Sequence, residues 1–392
     1  MRRGVELGAL LIAVLSGYAI ASVVGAPALV EPAETPAPGF RTEMDPLPST
    51  TTAGESTTSP LAGAETYLVW STGGLTPKLV AGLESTFPDL SVVGGDVVEL
   101  DPGTDGWVVP LDALAIDPED HTPFDSERSL GALGRGAVVL GESSAAFREL
   151  GLGDRLSIAG SSYEVVAIAP DEVVAAAEIV FAKDDETAPV ATDRFALVST
   201  DLPRAEFEEV VRSLYDGPAP LRIRSEGETP WLRHGDAVLP QIFIKEALGE
   251  FSYRDRSGSE FSQDPEFLDE HIVSAEVPIL GRITCHATVV AMLRSALGQL
   301  VDEGLAHLVD PSQFAGCWNP RFIRTITGEL AGISRHAWGA AVDINAASNP
   351  MGSAGSQDHR LVEIMQKWGF TWGGDWLVPD SMHFEYGVPP GS

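Results

Sequence analysis

The spacing of apolar residues changes along this chain, and each spacing predicts a different kind of element. Residues 7–25 form an almost unbroken apolar run. Between residues 65 and 220, short β-prone runs surround two helical stretches at 76–84 and 143–150, a mixture typical of an α+β domain. Further along, apolar residues recur at helical spacing over 285–303, which predicts a long amphipathic helix. The β-prone runs in the first of these regions are residues 67–70, 90–93, 97–100, 107–110, 137–140, 155–159, 163–168, 178–182 and 194–199.

The apolar run near the start follows the positive charges of Arg2 and Arg3. Its length suits either a cleaved signal peptide or a membrane anchor, and both interpretations predict export. Residues 26–64 are rich in Pro, Thr, Ser, Glu and Ala and predict an extended, disordered linker. The predicted organisation is therefore a signal peptide or anchor at 1–25, a linker at 26–64, an α+β accessory domain at 65–225 and a second domain at 236–392.

Charge excludes one class of partner. The chain has 57 acidic residues against 25 Lys and Arg, a formal net charge of −32 over 392 residues. Nucleic-acid binding needs clustered basic side chains, so we expect no nucleic-acid partner. Acidity alone identifies no ligand, because acidic side chains also solvate ordinary surfaces.

The chain has two cysteines, Cys285 and Cys317, both in the second predicted domain. In an exported protein such a pair is typical of one disulfide. Two buried thiols or two soft metal ligands are the alternatives.

Candidate chemistry begins at Ser334-Arg335-His336 and continues to Asp343. His336 and Asp343 are seven residues apart, so on one straight strand their side chains would point to opposite faces. A turn at Trp338-Gly339 that leads into a strand over 340–344 would let the two side chains converge. Asp343 lies in an apolar run, and a buried carboxylate needs a cationic partner. An arginine could satisfy Asp343, and His336 could be an ordinary core histidine.

A second polar cluster strengthens the functional interpretation. His383 lies in a β-prone run, and Asp380 precedes it by three residues. Two histidines and one carboxylate form a typical catalytic zinc site with one coordination position left for water. A further carboxylate is needed to move protons. Asp380 is one nearby carboxylate; Glu385, two residues after His383, is another, and it could instead be a partner of His383.

These two motifs resemble the M15 peptidases. The resemblance rests on Ser-x-His-x-x-Gly-x-Ala-x-Asp at 334–343, Trp-Gly-Gly-Asp-Trp at 372–376 and Asp-x-Met-His-Phe-Glu at 380–385, and it covers about residues 240–387. It implies zinc ligands at His336, Asp343 and His383, and a general base at Asp380. The family also uses an arginine before the first motif to bind the substrate carbonyl; Arg321 is the preferred candidate and Arg324 the alternative.

A weaker resemblance concerns residues 138–168. A strand, a short helix, the turn Gly151-Leu152-Gly153-Asp154 and a further strand resemble the extracytoplasmic domains of FtsX-like and MacB-like permeases. The membrane helices that flank those domains are not found beside this stretch, so the resemblance does not imply transport. It implies a scaffold or interaction module.

The expected fold is α+β: a strand-rich accessory domain, then a zinc peptidase domain with a small antiparallel sheet and helices. The M15 resemblance implies an extracytoplasmic zinc peptidase that acts on peptidoglycan peptides, most closely a D-alanyl-D-alanine carboxypeptidase. The alternatives are an L-alanyl-D-glutamate endopeptidase, a non-catalytic cell-wall binding or regulatory protein on a peptidase scaffold, and a transporter-associated sensor in which Asp380 would be dispensable.

Overall fold

A computed structural model describes residues 64–103, 106–125, 127–225, 228, 239–324 and 330–387. The predicted leader or anchor and nearly all of the predicted linker lie outside these residues. In the part of the chain that is described, no helix combines the length and the apolar composition needed to cross a membrane. Below, residues 64–225 are called the N-terminal region and residues 239–387 the C-terminal region.

The N-terminal region is a nine-stranded sheet with three helices. The strand order is β3-β7-β4-β6-β5-β2-β8-β1-β9, and β2 pairs also with β3, so six of the strands close into a ring from which β8, β1 and β9 extend. Pairing is parallel for β3–β7 and β4–β6 and antiparallel elsewhere. The elements are β1 (Glu65–Ser71), α1 (Pro77–Thr86), β2 (Asp89–Leu100), β3 (Val109–Ile116), β4 (Ala137–Gly141), α2 (Glu142–Arg148), β5 (Arg155–Ile158), β6 (Ser161–Ala169), β7 (Ile179–Ala182), β8 (Asp193–Thr200), α3 (Arg204–Leu214) and β9 (Leu221–Ser225).

Three apolar clusters stabilise this sheet. Leu79 and Leu83 of α1 and Phe207 and Val211 of α3 pack on one face of the extension. A second cluster joins inward-facing residues of the ring strands, such as Tyr163. A third, called here the N-terminal apolar cluster, covers the face of the extension opposite the helices and reaches the ring. Its buried members are Leu68, Trp70, Val93, Leu114, Ile116, Leu130, Val139, Ala169, Val174, Ala177, Val180, Phe195 and Leu197.

The expected α+β class is confirmed, with local corrections. The two strands predicted at 90–93 and 97–100 are one strand, β2, in which Gly94 and Gly95 interrupt the apolar pattern and its pairing with β8 shifts register. The strand predicted at 107–110 begins at Val109 and continues to Ile116. Helix α3 was not predicted, although Phe207 and Val211 have the i, i+4 spacing of a buried helical face.

The C-terminal region combines small antiparallel sheets with helices. Its three-stranded sheet has the order β16-β18-β17, and three two-stranded sheets pair β10 with β11, β12 with β13 and β14 with β15. The elements are α4 (Gln241–Leu248), β10 (Tyr253–Ser257), β11 (Glu260–Gln263), α5 (Pro265–His271), β12 (Ile272–Val277), β13 (Gly281–His286), α6 (Ala287–Asp302), β14 (Phe322–Arg324), β15 (Leu330–Ile333), β16 (Ala341–Asp343), α7 (His359–Lys367), β17 (Phe370–Trp372) and β18 (His383–Tyr386).

The long amphipathic helix predicted from the sequence is α6. Its Leu293 and Leu297 are fully buried, together with Leu361 and Met365 of α7. His286 begins the helix, and its Nδ1 accepts a hydrogen bond from the backbone N–H of Thr288. This acceptor satisfies one of the amide groups that a helix N-terminus leaves unpaired.

Cys285 and Cys317 are joined by a disulfide, and their Cα atoms are 5.4 Å apart. This confirms the disulfide interpretation and excludes the two cysteines as metal ligands. The bond ties the end of β13 to the segment before β14, and both segments border the site described below.

The two regions contact each other directly. Val108 and Tyr253 exchange both of their backbone hydrogen bonds, at 3.0 and 2.8 Å. The Tyr253 hydroxyl also donates to Glu99 Oε1 at 2.7 Å. The domain boundary predicted between residues 225 and 236 lies at the edge of a segment, 229–238, outside the described residues, and it stays a prediction.

Candidate metal centre

His336 lies in a single 3-10 turn, Arg335–Trp338, which Ser334 caps by accepting a hydrogen bond from the His336 N–H at 3.4 Å. Gly339 ends the turn with a φ of +61°, and a Cβ atom there would lie 2.5 Å from the backbone N of His286. Only glycine fits both requirements. The chain therefore reverses at Gly339 and enters β16, which resolves the problem posed by the odd spacing of His336 and Asp343.

A backbone carbonyl group fixes the orientation of the His336 imidazole. Its Nδ1 is 2.6 Å from the backbone carbonyl oxygen of Cys317, so Nδ1 carries the proton and donates it to that oxygen. Nε2 is therefore the atom with the free lone pair, and it lies 3.3 Å from Asp343 Oδ2. Nε2 is buried, and it has no hydrogen-bond partner of acceptable geometry. A histidine whose other nitrogen bonds a backbone carbonyl is the usual arrangement of a metal ligand.

Asp343 and His383 are direct cross-strand neighbours. The antiparallel register of β16 and β18 pairs these two residues, which places their side chains on one face of the sheet. His383 Nδ1 lies 3.1 Å from Asp343 Oδ1, and His383 Nε2 lies 3.1 Å from Glu385 Oε2. Since Glu385 takes the Nε2 hydrogen, Nδ1 is the nitrogen of His383 that faces Asp343 and the first histidine.

The three side chains form one group. One ligand atom from each of His336, Asp343 and His383 lies within 4.8 Å of the other two, an arrangement that could hold a metal ion. Two imidazole nitrogens and one carboxylate oxygen match the donor set of catalytic zinc sites. The ring centroids of the two histidines are 5.1 Å apart and tilted by 72°, so the rings converge on the carboxylate from different directions.

Charge in this group is tightly coupled. Burial alone would raise the pKa of Asp343, but the adjacent imidazoles of His336 and His383 hold that pKa well below its usual range. Burial lowers the pKa of His383, yet the carboxylates of Asp343 and Glu385 outweigh it and raise the pKa to about 10. The two carboxylates thus favour the protonated form of His383, and a cation bound at Nδ1 would take the place of that proton.

Asp380 stands at the end of the loop that leads into β18. Its backbone N–H donates to Gly373 O at 2.9 Å, and its carbonyl accepts from His383 N at 3.0 Å. Its Oδ1 is buried without a hydrogen-bond partner. Burial raises the pKa of Asp380, and the nearby charge of Asp343 adds to the increase, while His383, His336 and Arg321 oppose it. A carboxyl group of raised pKa beside a metal site suits proton transfer.

Arg321 lies directly before β14, where it pairs with Glu260 in an isolated β-bridge. Its guanidinium is close enough to Asp380 to lower the pKa of that carboxyl, although it is the weakest of the named influences. Its Nη1 donates to the Phe322 carbonyl at 3.4 Å. The backbone of the alternative, Arg324, is in β14, but its side chain lies outside the described atoms.

The aromatic residues of the second motif pack around the same group. The Trp376 ring lies 5.1 Å from the His383 ring, centroid to centroid, and Trp372 Nε1 donates to Ser381 O at 2.9 Å. Sequence reasoning did not identify the Cys317 carbonyl as the partner of His336. A backbone carbonyl has no signature of its own in a sequence, and only the disulfide at that residue hinted that the segment was fixed.

Comparison with known proteins agrees with this geometry. Residues 327–386 match the family model described as D-alanyl-D-alanine carboxypeptidase, which confirms the M15 resemblance for the segment that contains His336, Asp343, Asp380 and His383. Arg321 lies before the matched segment. No curated protein matches the sequence significantly.

Solved structures similar to this chain include two extracytoplasmic transporter domains. The periplasmic region of MacB from Actinobacillus actinomycetemcomitans is 12% identical, with a TM-score of 0.31, over 42% of this chain and 89% of that chain. The extracellular domain of the noncanonic ABC-type transporter YknZ from Gram-positive bacteria is 10% identical, with a TM-score of 0.27, over 37% of this chain and 88% of that chain.

Proposed function

We propose that this protein is an extracytoplasmic zinc peptidase that removes the terminal D-alanine from peptidoglycan stem peptides. The observation that carries the proposal is the convergence of His336, Asp343 and His383 next to the unpaired carboxyl oxygen of Asp380. The family match over residues 327–386 supports the reaction class.

The donor set fits zinc better than harder cations. Calcium and magnesium prefer sites made of oxygen ligands, whereas two imidazoles and one carboxylate suit zinc. His336 would bind through Nε2, His383 through Nδ1 and Asp343 through a carboxylate oxygen. When bound, zinc supplies a Lewis acid that polarises a peptide carbonyl and lowers the pKa of water.

The other residues would then handle protons and charge. Asp380, as carboxylate, accepts a proton from the attacking water and passes it to the departing amine; its raised pKa makes the carboxylate a stronger proton acceptor in the first of these two steps. Arg321 would donate hydrogen bonds to the carbonyl oxygen as negative charge develops there. Glu385, which contacts His383 Nε2, would keep His383 in an orientation that leaves Nδ1 for the metal. It is therefore a less suitable base than Asp380, since its Oε2 already faces His383.

Location outside the cytoplasm is part of the proposal. A disulfide between Cys285 and Cys317 is typical of oxidising compartments, and peptidoglycan lies outside the membrane. The predicted signal peptide or anchor at residues 1–25 would deliver the chain there, and the linker at 26–64 would extend it towards the cell wall.

Digestion of purified muropeptides with the zinc-loaded full chain tests this proposal. We expect mass spectrometry to show pentapeptide stems shortened by one alanine. Cleavage inside the stem would replace the carboxypeptidase with an endopeptidase. Stoichiometric zinc without any cleavage would contradict the catalytic proposal and favour a cell-wall binding protein on a peptidase scaffold.

A further inference from the structure

The loop Gly373–Asp380 carries the proposed base and touches both regions of the molecule. Its two ends are closed by the hydrogen bond from Asp380 N to Gly373 O at 2.9 Å. A Cβ atom on Gly373 would lie 2.7 Å from Asp380 O, so the closure leaves no space for a side chain. The end of the loop that carries Asp380 is also bound to a neighbouring segment, since Gly352 N donates to Pro379 O at 2.6 Å.

Two successive side chains at the tip of this loop contact different parts of the molecule. Trp376 packs beside the metal ligand His383. Leu377, the next residue, packs against the N-terminal apolar cluster that includes Trp70 and Phe195. The backbone at Trp376 is extended, with φ −70° and ψ 163°, and successive side chains of an extended chain point in opposite directions. The loop therefore bridges the metal site and the core of the N-terminal region.

From these contacts, and on the basis of the proposed function, we propose that the N-terminal region positions the catalytic base through Leu377. Leu377 is a positioning residue, because it would act on Asp380 through the backbone of the loop and through its packing against the N-terminal apolar cluster. Only two residues, Val378 and Pro379, separate it from Asp380, and Pro379 has a fixed φ. A displacement at the tip is thus transmitted to the base, and misplacement by about 1 Å can reduce turnover about 100-fold.

The N-terminal region is anchored firmly enough to serve as such a support. Glu178, fully buried, accepts from Lys245 Nζ at 2.7 Å and from Gln241 Nε2 at 2.8 Å, both of which belong to α4 of the C-terminal region. The ammonium group of Lys245 also donates to Pro110 O at 2.6 Å. Together with the pairing of Val108 and Tyr253, these bonds fix the N-terminal region beside the site.

The test is a set of substitutions in the zinc-loaded full chain. Leu377→Ala removes the contact, Leu377→Met retains most of its volume, and Leu152→Ala truncates a leucine that is 69% exposed on the N-terminal region. We expect Leu377→Ala to lower kcat about 10- to 100-fold with little change in KM and with zinc still bound. Leu377→Met should restore most of kcat, and Leu152→Ala should match the unmodified protein.

Hydrogen exchange of residues 373–380 is the second readout, and it needs no substrate. Faster exchange in Leu377→Ala, with Leu152→Ala unchanged, is expected. Unaltered exchange and kcat within about twofold of the unmodified chain would overturn the inference, as would a loss of zinc or a change in KM alone. If the unmodified chain cleaves no muropeptide, the proposed function fails, and the exchange experiment still decides whether Leu377 holds the loop.

Discussion

The buried cluster around Glu178 and the group around Asp343 use similar side chains for opposite purposes. At Glu178, both carboxylate oxygens are occupied: Oε2 by Arg148 and Lys245, and Oε1 by Gln241 and the Asp112 N–H. At the metal group, His336 Nε2 and Asp380 Oδ1 are buried without hydrogen bonds. Buried polar atoms are normally paired, so the unpaired His336 Nε2 and Asp380 Oδ1 suit a bound ligand, whereas the fully paired Glu178 carboxylate holds two regions together.

The largest effect is expected at the metal group. His383→Ala should abolish both zinc binding and turnover, because it removes a ligand and leaves Asp343 with one histidine. Metal analysis after dialysis and a muropeptide assay measure the two effects. His359→Ala is the matched control, since that side chain is 80% exposed and should behave as the unmodified chain. Full zinc retention by His383→Ala would contradict the ligand assignment.

Asp380→Asn separates proton transfer from metal binding. The amide has the size of the carboxyl group but cannot accept a proton, so kcat should fall about 10²- to 10⁴-fold while zinc stays bound. Asp375→Asn, on the exposed part of the same loop, controls for changes in loop charge. Undiminished turnover in Asp380→Asn would eliminate Asp380 as base and return attention to Glu385 or to the sensor hypothesis.

A substitution in the buried cluster around Glu178 should instead lower the free energy of unfolding. Lys245→Met leaves Glu178 buried with one cation fewer, and breaking a buried pair in this way costs about 3–5 kcal/mol of the free energy of unfolding. Arg155→Met breaks a surface pair with Glu164, in which both side chains are more than half exposed, and should cost less than about 1 kcal/mol. Denaturant titrations compare the two. Equal costs would remove the distinction drawn between buried and surface pairs.

The smallest effect concerns pH. Burial lowers the pKa of His286 to about 4, and the neighbouring His271 adds to this. The unfolded state, with a pKa near 6.5, binds the proton first as the pH falls. The contribution of neutral His286 to the free energy of unfolding is therefore fully present above about pH 6.5. It is lost progressively as the pH falls to about 4, and the total loss is at most about 3 kcal/mol. His286→Asn keeps a helix-capping side chain but does not titrate, so its stability should depend less on pH; an identical pH profile would contradict the assignment.

Much of the site could be predicted from the sequence because its signals are local. The turn at Gly339 and the β-prone run at His383 indicated that His336, Asp343 and His383 could meet, and the family resemblance assigned them roles. The structure brings those residues together, with Asp380 beside them. The tautomers could not be predicted, since they depend on the Cys317 carbonyl and on the register that pairs Asp343 with His383.

The fold was less accessible from the sequence. Individual strands of the N-terminal region were identified, but the ring closed by β2 and β3 depends on pairings between distant segments. Local patterns do not encode which strands become neighbours. The contact of Leu377 with the N-terminal apolar cluster is of the same kind: nothing near Leu377 in the chain indicates a partner some 200 residues away.

X-ray absorption at the zinc edge of the zinc-loaded full chain tests the central claim most directly. The account predicts one tightly held zinc per chain, coordinated by two imidazole nitrogens at about 2.0–2.1 Å and by carboxylate or water oxygens. Sulfur scattering at about 2.3 Å, or zinc that is lost completely on dialysis, would contradict it.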